Sequence, residues 1–133
     1  MSHHEVSLLR NRSLRMLNSA KNCLHGGDYD IAAFMAEQAL QLYLKSPILE
    51  LTGEVPRVHA ARQLIRVLRD LSDKPEDIDD FVRRKRSLLI RLEEAYIGSR
   101  YLPRIYEGDE AEELVAFAEE AIRFAEENVK GKG

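Results

Sequence analysis

Apolar residues recur along this chain at intervals of three and four positions, which is the spacing of a helix with one buried face. No segment alternates apolar and polar residues in the way that a half-buried strand does. The pattern predicts five helices joined by short loops, so the expected fold is all-α, an up-and-down bundle of four to five helices. Residues 1–133 are expected to form a single domain with its core at about residues 5–129. The predicted helices cover about Glu5–Leu24, Asp30–Ser46, Arg57–Leu71, Glu76–Gly98 and Asp109–Val129.

The second predicted helix is apolar around almost its whole circumference, which is typical of the central helix of a bundle. Its polar residues Glu37, Gln41 and Lys45 are spaced four positions apart, and we expect this strip to face solvent. Pro47 has no backbone N–H to donate, so the helix is expected to end or kink there. In the alternative, residues 48–51 continue the helix for one more turn.

Composition and charge narrow the class of protein. Apolar residues make up 44% of the chain and charged residues 32%, which is typical of a globular protein rather than a disordered one. The single cysteine, the lack of a long apolar run and a start unlike a secretory signal favour a cytoplasmic location. The net charge of −3 argues against a generally basic nucleic-acid binder. No phosphate loop, zinc spacing or nucleophile triad is recognisable, so no cofactor, metal or catalytic residue is expected.

The first candidate for binding chemistry is the end of the fourth helix. Arg100 and Tyr101 stand there shortly before Pro103, with Tyr96 one turn earlier. A planar guanidinium suits a phosphate group, and an adjacent aromatic ring can stack on a base. In the alternative interpretation, Arg100 caps the carbonyl groups of the helix end and Tyr101 packs against the loop.

The second candidate is His59, which is expected in the first turn of the third helix with Arg57 and Arg62 nearby. A histidine and two arginines at a helix N-terminus would favour an anion. In the alternative, the ring of His59 packs against the second or fourth helix and bonds the backbone.

The third candidate is the run Arg83-Arg84-Lys85-Arg86 on the fourth helix. These four side chains point around most of the helix, and they could hold a phosphate backbone. Alternatively they pair with the fifth helix, which carries pairs of glutamates at a spacing of seven residues.

Several of these features occur in an order and spacing that resembles the HEPN domain family. The resemblance covers about residues 14–128. A glycine end of the first helix is followed by Asp28-Tyr29, the third helix is preceded by a short Gly/Pro loop and opens near His59, and Arg100-Tyr101 precedes the last helix. The second helix carries the matching residues Phe34, Ala36, Gln38, Ala39, Leu44 and Lys45.

The resemblance implies a helical bundle that binds nucleotides or RNA, frequent homodimers, and frequent pairing with a small nucleotidyltransferase in toxin–antitoxin systems. Many members of the family carry an arginine followed, after four to six residues, by a histidine that serves in a metal-independent ribonuclease site. That motif is absent here, because Arg100 is followed by no histidine and the required positions before His59 and His25 hold no arginine.

The leading hypothesis from the sequence is therefore a nucleotide- or RNA-binding module that acts with a partner, most directly a minimal nucleotidyltransferase. Its expected contact residues are Arg100, Tyr101 and His59, with Tyr96 and Arg62 behind them. A divergent ribonuclease toxin is the first alternative, and it requires that folding bring His59 close to Arg100. A dimeric scaffold without a ligand is the second.

Overall fold

The computed structural model describes residues 3–129, and within that range it contains five α-helices and no strand, so the all-α prediction is confirmed. None of these helices is both long and apolar enough to cross a lipid bilayer. The helices are α1 (His3–His25), α2 (Tyr29–Thr52), α3 (Ala61–Leu71), α4 (Pro75–Tyr101) and α5 (Gly108–Asn128).

The central element is α2, which packs against all four other helices. Small side chains let its neighbours approach closely, since the four alanines of its first half are fully buried. Around them lies one core with side chains from every helix, so burial of apolar surface holds the whole bundle together. The alanines are Ala32, Ala33, Ala36 and Ala39.

The strip of Glu37, Gln41 and Lys45 on α2 does not face solvent, so that prediction is wrong. The three residues are only 1%, 3% and 9% exposed. Because α2 has a neighbouring helix on every side, its polar strip is covered like its apolar faces. Four-residue spacing identified the strip correctly, but spacing alone does not tell which strip a bundle covers.

The end of α2 agrees with the alternative prediction, because the helix continues through Pro47 to Thr52. Because proline has no N–H, the carbonyl of Tyr43 lacks the hydrogen bond that it would otherwise accept from residue 47. The Ser46 hydroxyl donates to that carbonyl over 2.7 Å and replaces the missing bond. The helix ends at Gly53, whose φ of +83° is the left-handed conformation of a helix C-terminus.

The boundaries of α3 and α4 bear directly on the candidate residues. The helix α3 begins at Ala61 rather than Arg57, so His59 lies in the preceding loop and not in the first helical turn. The helix α4 continues to Tyr101, so Arg100 and Tyr101 are its last residues. Within α4, Lys85 has non-helical backbone angles of −113° and 15°, which kink the helix in the middle of its basic run.

Candidate functional site

The C-terminal end of α4 brings several aromatic rings together around one guanidinium. The Cζ atom of Arg100 lies 4.7 Å from the ring centroid of Phe34, 4.5 Å from that of Tyr96 and 4.6 Å from that of Tyr101. These are distances at which a cation is attracted to the face of a ring. Together with His59, which contacts Tyr96, these residues are called the ring cluster below.

Arg100 also caps its own helix. Its Nε and Nη2 atoms donate to the carbonyl oxygen of Tyr96 at 2.8 and 2.6 Å. The capping interpretation therefore describes part of what Arg100 does, and the capping bonds fix the plane of the guanidinium at the surface. Because Arg100 is exposed, the remaining N–H groups of its side chain stay open to a ligand.

Tyr101 does not pack against the loop that follows it. The residue is 70% exposed, and its ring lies against the guanidinium of Arg100. An exposed ring held beside a cation is a suitable platform for a planar, electron-rich group.

His59 reaches the ring cluster from the loop before α3. Its ring is nearly parallel to that of Tyr96, with an angle of 8° between the planes and 6.2 Å between the centroids. The structure thus places His59 and Arg100 on the same tyrosine, although neither donates to the other. His59 itself is exposed, so its ring edge remains accessible.

Beneath the ring cluster lies the buried carboxyl group of Glu37. The side-chain amides of Gln38 and Gln41 donate to its two oxygens. Burial raises the pKa of Glu37 to about 7, against the opposing effects of these hydrogen bonds and of the nearby Lys45 and Arg100. Sequence reasoning missed this group because it assigned the strip to solvent; the apolar residues on all other sides of α2 were the signal that could have corrected it.

Arg62 lies outside the ring cluster. Its Nε atom donates to both carboxylate oxygens of Glu93, and its Nη2 atom donates to one of them, over 2.8 to 3.0 Å. The backbone N–H of Arg62 donates to the same carboxylate at 2.8 Å. Of the five residues expected at the site, Arg62 is therefore the one whose hydrogen bonds go to Glu93 and not to the ring cluster, whereas Phe34 joins the cluster unexpectedly.

The four residues of the basic run on α4, 83–86, do not share one ion-pair partner. Arg83 and Arg84 pair with Asp80 of the same helix, and Lys85 pairs with Glu120 of α5 at 3.1 Å. Arg86 makes no ion pair or hydrogen bond with any residue in the range 3–129. The expected pairing with the glutamate-rich helix is thus seen for Lys85 alone.

Comparison with known proteins gives one result. No curated protein and no solved structure is similar enough to count as a match. The family model for the HEPN domain, however, matches residues 6–128, which is nearly the whole chain. The five helices within residues 3–129 agree with that match, and the chain belongs to the HEPN domain family.

Proposed function

We propose that this protein is a nucleotide- or RNA-binding module and that the ring cluster contacts the base and an adjoining phosphate. The observation that carries the proposal is Arg100, an exposed guanidinium held 4.5 to 4.7 Å from three aromatic rings. A charged group for phosphate and a flat surface for a base are then present at one point. Membership of a nucleotide- and RNA-related family supports the same class of ligand.

Each member of the ring cluster has a distinct part in the proposal. Tyr101 offers its exposed ring for stacking, and Arg100 donates its free N–H groups to phosphate oxygens. His59 and Tyr96 form the neighbouring wall of parallel rings. Metal ions and cofactors have no part in it.

The proposal extends to partners of the protein. A homodimer and a separately encoded minimal nucleotidyltransferase, as in toxin–antitoxin systems, are the partners that the family resemblance implies, and the protein is proposed to act with them in the cytoplasm. Exposed apolar side chains next to the ring cluster support a protein contact there, because Ile97 is 50%, Leu102 56% and Ile105 85% exposed. Light scattering of the purified protein tests the dimer, and co-purification with the nucleotidyltransferase tests the partner.

The decisive experiment is a binding titration with a fluorescent ATP analogue, ATP, GTP and a short single-stranded RNA. Tyr101→Ala is expected to weaken binding about fivefold or more, since stacking on a base contributes about 1–3 kcal/mol. Arg100→Ala is expected to weaken it to a similar extent, because it removes the donors to phosphate. Arg123→Ala is the matched control, because its side chain is 73% exposed on α5 and it removes the same charge. Wild-type protein that binds none of these ligands would overturn the proposal.

The same samples distinguish the module from the divergent ribonuclease. Intact RNA on a gel after incubation is the expected result, because the chain lacks the arginine–histidine motif of the family's ribonucleases. RNA cleavage that disappears in His59→Ala would instead support the ribonuclease. A clean dimer that binds no nucleotide, RNA or protein would support the scaffold.

A further inference from the structure

A groove of about 530 Å³ lies between α3 and α4, and none of the rings described above lines it. Its walls carry five arginines, the carboxylate of Asp79 and no aromatic residue, and its floor is apolar. We call it the arginine groove. Its arginines are Arg62, Arg66, Arg69, Arg83 and Arg86, and its floor consists of Ile65, Ile78 and Val82.

The arginines form two facing rows. Arg62, Arg66 and Arg69 are four and three positions apart and therefore share one face of α3, where they span about 10 Å at 1.5 Å per residue. Arg83 and Arg86 are three positions apart on α4 and line the opposite wall. Each row lies along its helix, so the groove presents positive charge along a line rather than at one point.

Three of the five arginines are held in place by carboxylates. Arg62 pairs with Glu93, Arg69 with Asp79 and Asp70, and Arg83 with Asp80. A guanidinium bound along one edge still has N–H groups on its other edge, and the ion pair limits its motion.

The remaining two arginines supply the uncompensated charge of the groove. Arg66 and Arg86 are exposed, and neither makes a hydrogen bond or an ion pair with the described part of the chain. They stand on opposite walls, one on α3 and one on α4. An anion between the walls would therefore receive donors from both sides.

We infer that the arginine groove binds consecutive phosphate groups of a single-stranded nucleic acid. Every basic residue in its walls is arginine, whose planar fork of donors matches phosphate oxygens. No aromatic ring lines the groove, so the phosphate backbone is the part of the nucleic acid that we expect its arginines to contact.

The position of the groove favours a nucleic acid over an acidic peptide. Glu93, which holds Arg62 at one end of the groove, is one helical turn from Tyr96 in the ring cluster. One strand could then place phosphates in the groove and a base on the rings. The choice of a nucleic acid as the ligand rests on the proposed function, whereas the assignment of the groove as an anion site does not.

The test uses the double variant Arg66→Ala/Arg86→Ala, which removes no ion pair and should fold like the wild type. Binding of a fluorescein-labelled twelve-nucleotide single-stranded RNA is followed by anisotropy between low and moderate salt. The affinity should fall more than about tenfold at low salt, and the slope of log K against log salt should become shallower by about 1.4, at about 0.7 per lost phosphate contact. Binding of a fluorescent ATP analogue should stay unchanged.

The control variant Arg12→Ala/Arg15→Ala removes the same charge from the exposed face of α1. An equal loss of RNA affinity in both double variants would mean that net charge alone explains the effect, and it would overturn the inference. So would competition by a polyglutamate peptide as strong as that by unlabelled RNA.

The groove variant and Arg100→Ala together show whether the arginine groove or the ring cluster has been assigned wrongly. Unchanged RNA binding in the groove variant, together with lost binding in Arg100→Ala, would overturn the groove and leave the ring cluster intact. Lost RNA binding in the groove variant, together with no effect of Arg100→Ala on either ligand, would support the groove and overturn the proposed role of the ring cluster.

Discussion

The carboxylate of Glu93 accepts hydrogen bonds from both the guanidinium and the backbone N–H of Arg62. That N–H belongs to the first turn of α3, where the N-cap residue Ala60 has no side-chain oxygen to accept it. Glu93 of α4 therefore caps α3 from outside and joins the two helices. The same contact positions both the end of the arginine groove and the loop that carries His59.

This geometry predicts unequal costs for removing the two partners. Glu93→Ala should lower the free energy of unfolding by about 1–2 kcal/mol, since it removes a helix cap and a charge-assisted pair. Arg62→Ala should cost less, because the Glu93 carboxylate keeps its bond to the backbone N–H and the Arg62 side chain is 41% exposed. Urea unfolding measures both, with the exposed neighbour Glu94→Ala as control. Equal costs for the two variants would contradict the capping role.

The buried carboxyl of Glu37 predicts an unusual dependence of stability on pH. Its pKa is about 7 in the folded protein against 4.5 ordinarily, so the native state holds this proton more tightly than the unfolded chain does. The contribution of Glu37 to stability is therefore fully present below about pH 4.5 and is lost as the pH rises through 7, a change of about 3 kcal/mol. Most paired carboxylates act in the opposite direction. Chemical unfolding at a series of pH values measures the effect.

Glu37→Gln should remove that pH dependence. The amide cannot ionise, so the variant should match the wild type near pH 4.5 and exceed its stability by up to about 3 kcal/mol at pH 8. Glu112→Gln, an exposed position on α5, should leave the curve unchanged. A variant that is less stable than the wild type at pH 8 would show that the ionised carboxylate is needed by its glutamine neighbours.

Arg100 links the surface site to this buried group. Its positive charge lowers the pKa of Glu37, so Arg100→Ala should raise that pKa further and move the pH-dependent loss of stability to higher pH. Arg100→Lys keeps the charge and should leave the curve in place while weakening the contacts to the rings. Identical pH curves for the wild type and Arg100→Ala would contradict the link.

The helices could be predicted from the sequence because glycine and proline residues stand near their ends. Gly26-Gly27 predicted the end of α1, and Gly27 indeed has a φ of +82°. Pro47 left the end of α2 undecided, because the hydrogen bond that replaces its missing N–H comes from the side chain of the neighbouring Ser46, and helix propensity does not predict such a bond. Local signals thus predicted where helices exist better than how far they extend.

The site could be predicted only in part, because helix packing decides which residues meet there. Arg100, Tyr101, Tyr96 and His59 were expected to act together, and the contacts among them agree with that grouping. Phe34 was missed as a site residue, because the docking of α2 against α4 decides which of its residues reaches Arg100. Likewise, the spacing of the α3 arginines is visible in the sequence, whereas their position opposite α4 follows only from packing.

Gly98 and Tyr106 provide the last prediction. A Cβ atom at Gly98 would lie 3.1 Å from the hydroxyl oxygen of Tyr106, a buried side chain that lies beside the guanidinium of Arg104. In an open helix position, alanine in place of glycine gains about 1 kcal/mol. Here the hydroxyl should cancel that gain, and Tyr106→Phe should restore it.

The double-mutant cycle measures this coupling directly. Gly98→Ala should be more favourable by about 1 kcal/mol in the Tyr106→Phe background than in the wild type. Tyr106→Phe alone should cost about 1 kcal/mol or less, because it removes only the contact of the hydroxyl with Arg104, while the ring under that guanidinium stays. Gly26→Ala is the matched control, since its added Cβ meets other atoms only at 3.5 Å or more and far from Tyr106 in sequence. An effect of Gly98→Ala that is the same in both backgrounds would mean that the tyrosine moves aside without cost, and the close approach would then not explain why glycine occupies this position.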